Sequence, residues 1–222
     1  MAGGKKIIIF GAGDIANLAH FYFTHDSSHE VVAFTVDREF IETNTFQELP
    51  VLPFEEIQTH FPPGEYEMFI ALSYAQINKL RAQKYREAKE KGYTLVSYVS
   101  SKATCWTDAI GDNCFILEDN TLQPFVTIGN NVTLWSGNHI GHDAIIGDHC
   151  FLASHIVVSG HVEIGAYTFI GVNATLRNNI QIAPECVIGA GALILKNTEE
   201  KGVYIGNAAE KHRLTSDRLP RI

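Results

Sequence analysis

The chain has 222 residues, of which 45% are hydrophobic, and a formal net charge of -8. This composition suits one domain or two small ones with a buried core, and the negative charge argues against nucleic acid or an anionic membrane as a partner. No apolar stretch approaches the roughly 18 residues of a membrane span. Met1 to Lys6 also lack the apolar segment of a secretory signal, so we expect a cytoplasmic protein.

The first hundred residues alternate apolar runs with helical patterns, which predicts a small parallel α/β sheet, half a Rossmann fold in size. We assign residues 1–100 to this domain. The predicted strands are Lys5 to Phe10, Glu30 to Val36, Tyr66 to Leu72 and Thr94 to Val99, and the predicted helices are Ile15 to Thr24, Phe54 to His60 and Ala75 to Lys91.

A glycine-rich turn, Gly11-Ala12-Gly13-Asp14, follows the first strand and precedes the first helix. Its glycines allow close approach of the backbone to a phosphate, and the start of a helix favours an anion. Asp37, at the end of the second strand, can accept hydrogen bonds from a ribose or a base. We expect a mononucleotide here, because the domain is too short for a dinucleotide site; a tight turn without a ligand is the alternative.

From Ile110 to Ile194, every sixth residue is Ile, Leu or Val, and the residue two before each of them is mostly small. This period fits neither an amphipathic helix nor an alternating strand, and it is typical of the hexapeptide β-helix. Such prisms take three repeats per coil, so residues 18 apart stack on one face. We assign residues 101–195 to the β-helix and residues 196–222 to a polar tail.

Several polar side chains of the repeats could carry chemistry. Cys114, Cys150 and Cys186 fall at the small inward position, so we expect buried thiols and no cysteine nucleophile. His149, His155 and His161 each lie three residues past an inward aliphatic residue. They therefore occupy three successive sides of the prism, and we interpret them as ordinary polar surface or interface residues.

His142 differs from these histidines because Asp143 follows it at a turn between two faces. A carboxylate beside an imidazole can hold its tautomer and stabilise the imidazolium, which makes His142 a candidate general base. His139 is the alternative base. A trimer-interface zinc site built from His139, His142 and His149, as in zinc hydratases of the same prism, is a second alternative, although we expect no metal.

In motif order and spacing, the chain resembles the bacterial nucleotide-sugar acyltransferases, which include the amino-sugar N-acetyltransferases and the sialic-acid O-acetyltransferase group. The resemblance implies a left-handed β-helix, a homotrimer with active sites between subunits, and acetyl-CoA as acyl donor. The implied reaction is N-acetylation of a nucleotide-linked amino sugar; O-acetylation of a sugar hydroxyl and a non-catalytic sensor are alternatives. The segments that carry the resemblance are IIIFGAGD at residues 7–14, HDAIIGD at 142–148, VSG at 158–160 and VIGAGALILKN at 187–197.

The resemblance also implies roles for individual residues. His142 would be the base, Asp143 its acidic partner, and Gly160 the donor of an N–H to the thioester carbonyl. Phe151 stands where some relatives have a second histidine, and with Trp135 and Asn138 it is expected outside the prism, where it would influence acceptor choice. The implied coenzyme A contacts are Phe151, Gly160, Ala190, Gly191 and Lys196, and the implied substrate contacts are Gly11, Gly13, Asp14, Asp37, Asn138 and His139.

Overall fold

The computed structural model describes residues 4–211 together with residues 213 and 218. Within these residues, no helix combines the length and apolar character that crossing a membrane requires. The N-terminal domain is a five-stranded sheet in the order β3-β4-β2-β1-β5. Its strands are β1 (Lys6–Phe10), β2 (Glu30–Val36), β3 (Thr45–Phe46), β4 (Leu49–Pro53) and β5 (Tyr66–Ile70).

The predicted parallel α/β arrangement is confirmed, since β1 pairs in parallel with both β2 and β5. The antiparallel hairpin of β3 and β4 was not predicted, and its turn residues Gln47 and Glu48 both have positive φ. The helices are α1 (Asp14–His25), α2 (Ile57–His60) and α3 (Lys79–Glu90), with 3₁₀ turns at Arg38–Phe40 and Phe54–Glu56.

The β-helix is a three-sided prism of two-residue strands, each paired in parallel with the strand one coil away. Face 1 comprises Tyr98–Val99, Phe115–Ile116, Thr133–Leu134, Phe151–Leu152, Phe169–Ile170, Val187–Ile188 and Val203–Tyr204. Face 2 comprises Thr104–Cys105, Thr121–Leu122, His139–Ile140, Val157–Val158, Thr175–Leu176 and Leu193–Ile194. Face 3 comprises Thr127–Ile128, Ile145–Ile146, Glu163–Ile164 and Gln181–Ile182.

The hexapeptide pattern is explained by what each position does. The sixth-residue aliphatics and the small residues two before them, including Cys114, Cys150 and Cys186, form one continuous buried core. Each turn places its second residue in the left-handed region, as at Asp143 with φ 57° and His161 with φ 56°. Asn, Asp and His adopt this conformation more readily than most residues, which accounts for their recurrence there.

The prism is longer than the repeat pattern predicts. The predicted strand Thr94 to Val99 is divided: Leu95 bridges to Met68 of the α/β sheet, whereas Tyr98–Val99 pairs with Phe115–Ile116 of face 1. At the other end, Val203–Tyr204 of the predicted tail pairs with Val187–Ile188. Strands of the prism thus extend beyond the predicted range 101–195, because pairing of backbone groups on the end coils does not require the hexapeptide sequence.

Helix α3 fixes the α/β domain to face 1. The buried Arg81 guanidinium donates to the Thr133 hydroxyl at 2.7 Å and to the carbonyls of His149 and Cys150 at 3.0 and 3.1 Å. Asn78, buried and with φ 63°, donates to the Tyr167 carbonyl at 3.1 Å. Burial lowers the pKa of Arg81 to about 10, so the side chain stays charged at neutral pH. The α/β domain therefore covers the part of face 1 that contains Phe115, Thr133 and Phe151, whereas Val203 at its end is exposed.

Candidate active site

The turns that join face 2 to face 3 form one edge of the prism, here named edge 2–3, and His142 and Asp143 lie on it. The Nδ1 of His142 is 2.8 Å from the Oδ2 of Asp143. An ionised carboxylate only accepts hydrogen bonds, so this contact assigns the imidazole proton to Nδ1 and leaves Nε2 as an acceptor. The backbone N–H of His142 donates to the Gln123 amide oxygen at 2.9 Å, which fixes the turn. His142 therefore has the tautomer that a general base requires.

Gly160 lies one coil further along the same edge, against the His142 ring. A Cβ atom at this position would be 2.7 Å from the His142 Nε2, so a side chain cannot be added without displacing the imidazole. Among the described residues, none accepts a hydrogen bond from the Gly160 N–H. The basic nitrogen thus faces a backbone turn whose amide has no acceptor among the described residues.

His161 is the third member of this edge; it is exposed, as the sequence predicts, and it also lies beside His142 and Asp143. Its ring is perpendicular to that of His142 with centroids 5.0 Å apart, and its Nε2 is 3.9 Å from the Asp143 Oδ2. The signal was present in the sequence, because residues 143 and 161 are 18 apart and therefore stack.

His149 differs from the surface residue that the sequence predicts. It lies at the edge between face 3 and face 1, where Tyr85 of α3 and Tyr167 pack on its ring at centroid distances of 5.4 and 4.8 Å. The side-chain amide of Asn131 donates to its Nδ1 at 3.0 Å. Burial lowers the pKa of His149 to about 4, so this imidazole is neutral at pH 7. It is structural, and it does not lie with His142.

Asn138 and Phe151 were both expected outside the prism, and both are buried. Asn138 is 1% exposed; its amide donates to the Trp135 carbonyl at 2.6 Å and its oxygen accepts from the Ile156 N–H at 2.8 Å. It stands two residues before Ile140, which is the inward position of the repeat, so a sugar cannot reach it. His139 is the next residue, and its side chain lies on the outer side of face 2, where it remains a candidate substrate contact.

Phe151 is 5% exposed and lies on face 1, where the Tyr74 ring packs on it at 5.0 Å and the Trp135 ring at 6.0 Å. The expected coenzyme A contact at this residue is therefore wrong for the single chain, because the α/β domain covers the ring. The structure does not bring Phe151 to His142.

The remaining expected coenzyme A residues divide between two edges. Lys196 is exposed and directly follows the face 2 strand Leu193–Ile194, which puts it on edge 2–3 with His142 and Gly160. Ala190 and Gly191 form the turn between face 1 and face 2, so they are on a different edge from the base. The structure therefore brings Lys196 into line with the base, but not Ala190 and Gly191.

The glycine-rich turn opens into a cleft of about 560 Å³, lined by Gly11 to Ile15 on one side and by residues 71–75 on the other. Gly11 has φ 124°, and a Cβ there would be 2.8 Å from the Ala71 carbonyl oxygen, so the turn requires glycine. A Cβ on Gly13 would meet nothing within 4 Å, which leaves the start of α1 open to the cleft. An open helix N-terminus of this kind favours a phosphate group.

Asp37 lines a neighbouring cleft and not the one at Gly11. Its carboxylate accepts from the Lys84 ammonium at 2.7 Å, and Glu87 accepts from the same ammonium at 2.7 Å. Burial disfavours the charged form of Lys84, but the hydrogen bonds to both carboxylates outweigh it and raise the pKa of Lys84. Asp37 is thus already paired, and it lines a different cleft from Gly11, Gly13 and Asp14.

The fold and this site define a class of protein: a left-handed β-helix with an N-terminal α/β domain and a histidine–carboxylate pair on an open edge. The family model described as bacterial transferase hexapeptide (six repeats) matches residues 109–142, 125–160 and 161–196. The prism thus carries the hexapeptide repeats that this model describes, and the left-handed β-helix fold predicted from the sequence is confirmed.

Solved acetyltransferases share the fold over nearly the whole chain. A mutant of perosamine N-acetyltransferase from Caulobacter crescentus, in complex with CoA and GDP-perosamine, is 21% identical with a TM-score of 0.81, covering 93% of this chain and 95% of that one. The acetyltransferase domain of PglB from Neisseria gonorrhoeae is 20% identical with a TM-score of 0.82, covering 93% and 99%. WeeI from Acinetobacter baumannii is 20% identical with a TM-score of 0.77, again covering 93% and 99%.

Proposed function

We propose that the protein transfers the acetyl group of acetyl-CoA to the amino group of a nucleotide-linked amino-deoxy sugar, with His142 as the general base. The observation that carries this proposal is the packing of the His142 Nε2 against Gly160, whose N–H has no acceptor among the described residues. The shared fold of an acetyltransferase that holds CoA and GDP-perosamine supports the choice of donor and acceptor.

In the proposed reaction, the sugar amine attacks the thioester carbonyl carbon and its proton passes to the His142 Nε2. The Nδ1–H stays on the Asp143 carboxylate, which stabilises the imidazolium that forms. The carbonyl oxygen becomes an oxyanion and accepts the Gly160 N–H. When the carbon–sulfur bond breaks, the imidazolium returns the proton to the leaving sulfur. An oxyanion donor contributes about 3 kcal/mol and a positioned base about 10²–10⁴-fold in rate.

We assign the nucleotide diphosphate to the cleft at Gly11, Gly13 and Asp14, where the start of the twelve-residue helix α1 is open. Coenzyme A would lie along edge 2–3, where Lys196 offers a cation to its phosphates. The ion pair of Asp37 with Lys84 argues against a direct role of Asp37 in holding the nucleotide.

We further propose a homotrimer in which face 2 packs on neighbouring copies. The middle of face 1 is covered by α3, and face 3 carries Glu163 among its outward residues. Face 2 has no Asp, Glu, Lys or Arg among its outward residues Thr121, His139, Val157, Thr175 and Leu193. Packing there would border edge 2–3 with a second prism and create the active-site groove. Light scattering should give three times the 24.6 kDa mass of the chain.

Because the three thiols of the prism core are buried and unpaired, a cytoplasmic location remains our proposal.

A coenzyme A release assay tests the reaction. Acetyl-CoA is mixed with a panel of UDP-, dTDP- and GDP-linked 3-amino- and 4-amino-6-deoxy sugars, with the matching hydroxy sugars as controls. Release with an amino sugar and none with its hydroxy analogue is the expected result. Release with the hydroxy sugar instead would replace N-acetylation by O-acetylation, and no release from a folded protein across the panel would contradict the proposal.

A further inference from the structure

The side chains of His142, Asp143 and His161 together have the composition and spacing of a metal site. We propose that they bind one Zn²⁺ ion per chain, and that zinc bound there blocks the base. Only the inhibition rests on the proposed function, because the binding of zinc does not require any particular reaction at this edge.

The three side chains are already close enough to share one ion. One ligand atom from each residue lies within 4.8 Å of those of the other two. Ligands about 2.1 Å from a tetrahedral zinc ion are roughly 3.4 Å apart. The 3.9 Å between the His161 Nε2 and the Asp143 Oδ2 must therefore shorten slightly, and the 2.8 Å between the His142 Nδ1 and the same oxygen must lengthen. The nitrogens of the two imidazoles, at most 4.8 Å apart, must also approach each other. All three residues are exposed, so rotation about their χ angles can supply these changes.

The backbone that carries these residues is held by the coil. The N–H of Asp143 donates to the Pro124 carbonyl at 3.3 Å, and the N–H of His161 donates to the His142 carbonyl at 3.0 Å. Asp143 and His161 share the left-handed turn conformation, so their Cβ atoms project from equivalent positions in successive coils. The ligands are therefore preorganised by the prism, which reduces the entropy that metal binding must overcome.

The donor set favours zinc over the harder divalent cations. Two imidazole nitrogens and one carboxylate oxygen suit Zn²⁺, whereas Mg²⁺ and Ca²⁺ prefer sets of oxygen ligands. The side chains of His142 and His161 are each 54% exposed, so a water molecule can complete a tetrahedral site. Within the described part of the chain, this is the one group of three histidine, cysteine or acidic ligands with such spacing.

Zinc at this position and a free base exclude each other. A neutral imidazole that coordinates a metal through one nitrogen carries its proton on the other. If the His142 Nδ1 binds zinc, Nε2 becomes a donor and cannot take the proton of the sugar amine. If Nε2 binds zinc, its lone pair is occupied. Zinc should therefore inhibit the reaction by removing the acceptor function of His142.

Zinc binding is measured by competition with a chromophoric chelator, using the full chain and zinc chloride. Cys105→Ser serves as the background, because Cys105 is the one exposed thiol of the four cysteines. In this background, His161→Asn is compared with His155→Asn. Both positions have a left-handed turn conformation, which Asn tolerates, but the turn of His155 joins face 1 to face 2 and is remote from edge 2–3.

We expect one zinc ion per chain in the background protein and in the His155→Asn variant. Loss of a partner outside the ligand set typically costs 10–100-fold in metal affinity, so loss of the His161 ligand should weaken zinc binding by at least about tenfold. Equal affinities in the two variants, or no bound zinc in the background protein, would overturn the site.

Inhibition is a separate measurement on the same proteins. Zinc should inhibit coenzyme A release in the background protein and in His155→Asn, and the turnover of His161→Asn should be at least about tenfold less sensitive to zinc. Zinc that binds through His161 without inhibiting would preserve the site and contradict His142 as the base. The failure of the proposed function is thereby distinguishable from failure of the zinc site.

Discussion

Two edges of one prism carry histidines in the same turn position and give them opposite properties. His149 and His161 both adopt the left-handed conformation, with φ 64° and 56°. Tyr85 of α3 packs over His149, which is 8% exposed, and burial lowers its pKa to about 4. His161 and its neighbour His142 lie on an edge that α3 does not cover. The local sequence thus sets the turn, whereas the element packed over it decides whether the imidazole is structural or free to react.

The largest expected effect is a loss of activity on substitution of a histidine at the open edge and not at the covered edge. We expect His142→Asn to lower kcat by about 10²–10⁴-fold, because Asn cannot accept the proton of the amine. His149→Asn, matched in chemistry but on the covered edge, should retain the kcat of the folded protein. Steady-state rates of coenzyme A release measure both. Normal turnover of His142→Asn would move the base elsewhere, with His139 the first candidate.

Burial of His149 on the covered edge should make the free energy of unfolding depend on pH. The folded state keeps His149 neutral down to a pKa of about 4, while the unfolded chain titrates it near 6.5. The contribution of His149 to the free energy of unfolding is therefore complete above about pH 6.5. As the pH falls toward 4, the unfolded chain binds a proton that folded His149 does not, and the free energy of unfolding decreases by about 3 kcal/mol in total.

Urea unfolding between pH 4 and 7 compares the wild type with His149→Asn. Asn occupies the same turn position at residues 113, 131, 173 and 179, so the turn accepts it. The difference between the two unfolding free energies should change with pH over this range. A constant difference would show that α3 does not shield the imidazole.

A smaller effect is expected from adding one methyl group at the open edge. The Cβ of Gly160→Ala would collide with the His142 Nε2, which must move, and we expect a loss of about 10–100-fold in kcat/KM. Ala166 and Ala190 already occupy this position of the repeat, so the turn itself tolerates alanine and the thermal midpoint should change little. Unchanged kcat/KM would indicate that the imidazole functions without contact to this turn.

The smallest effect is expected at the far end of edge 2–3. Lys196→Ala removes an exposed cation from the proposed track of coenzyme A, and exposed ion pairs contribute about 0.2–1 kcal/mol. We therefore expect KM for acetyl-CoA to rise by a factor of about two to five, with kcat unchanged. Lys201→Ala, which removes an exposed cation outside the face 2 to face 3 turns, is the matched control. Equal effects of the two substitutions would argue against this track.

The six-residue period was sufficient to predict the features that recur from coil to coil. It predicted the buried aliphatics, the inward Cys150, and the position of His142 at a turn. The same rule places Asn138 inside, since it is two residues before Ile140, and the structure has it buried there. Stacking at 18 residues likewise relates His161 to Asp143.

What the period could not predict is how the two domains meet. Helix α3 docks through hydrogen bonds from Arg81 to the carbonyls of His149 and Cys150. Asn78 donates in the same way to the Tyr167 carbonyl. These contacts join residues far apart in the sequence, so they leave no local pattern. The burial of His149 and Phe151 follows from that docking. The added coils at Tyr98–Val99 and Val203–Tyr204 were missed for a related reason, since backbone pairing leaves no hexapeptide signature.

A crystal structure of the His142→Asn variant with CoA and a nucleotide-linked amino sugar tests the central claim most directly. We expect the sugar amine beside residue 142 and the CoA sulfur at the Gly160 N–H on edge 2–3, with the nucleotide in the cleft at Gly11. Ligands bound at another edge of the prism, with edge 2–3 empty, would contradict it.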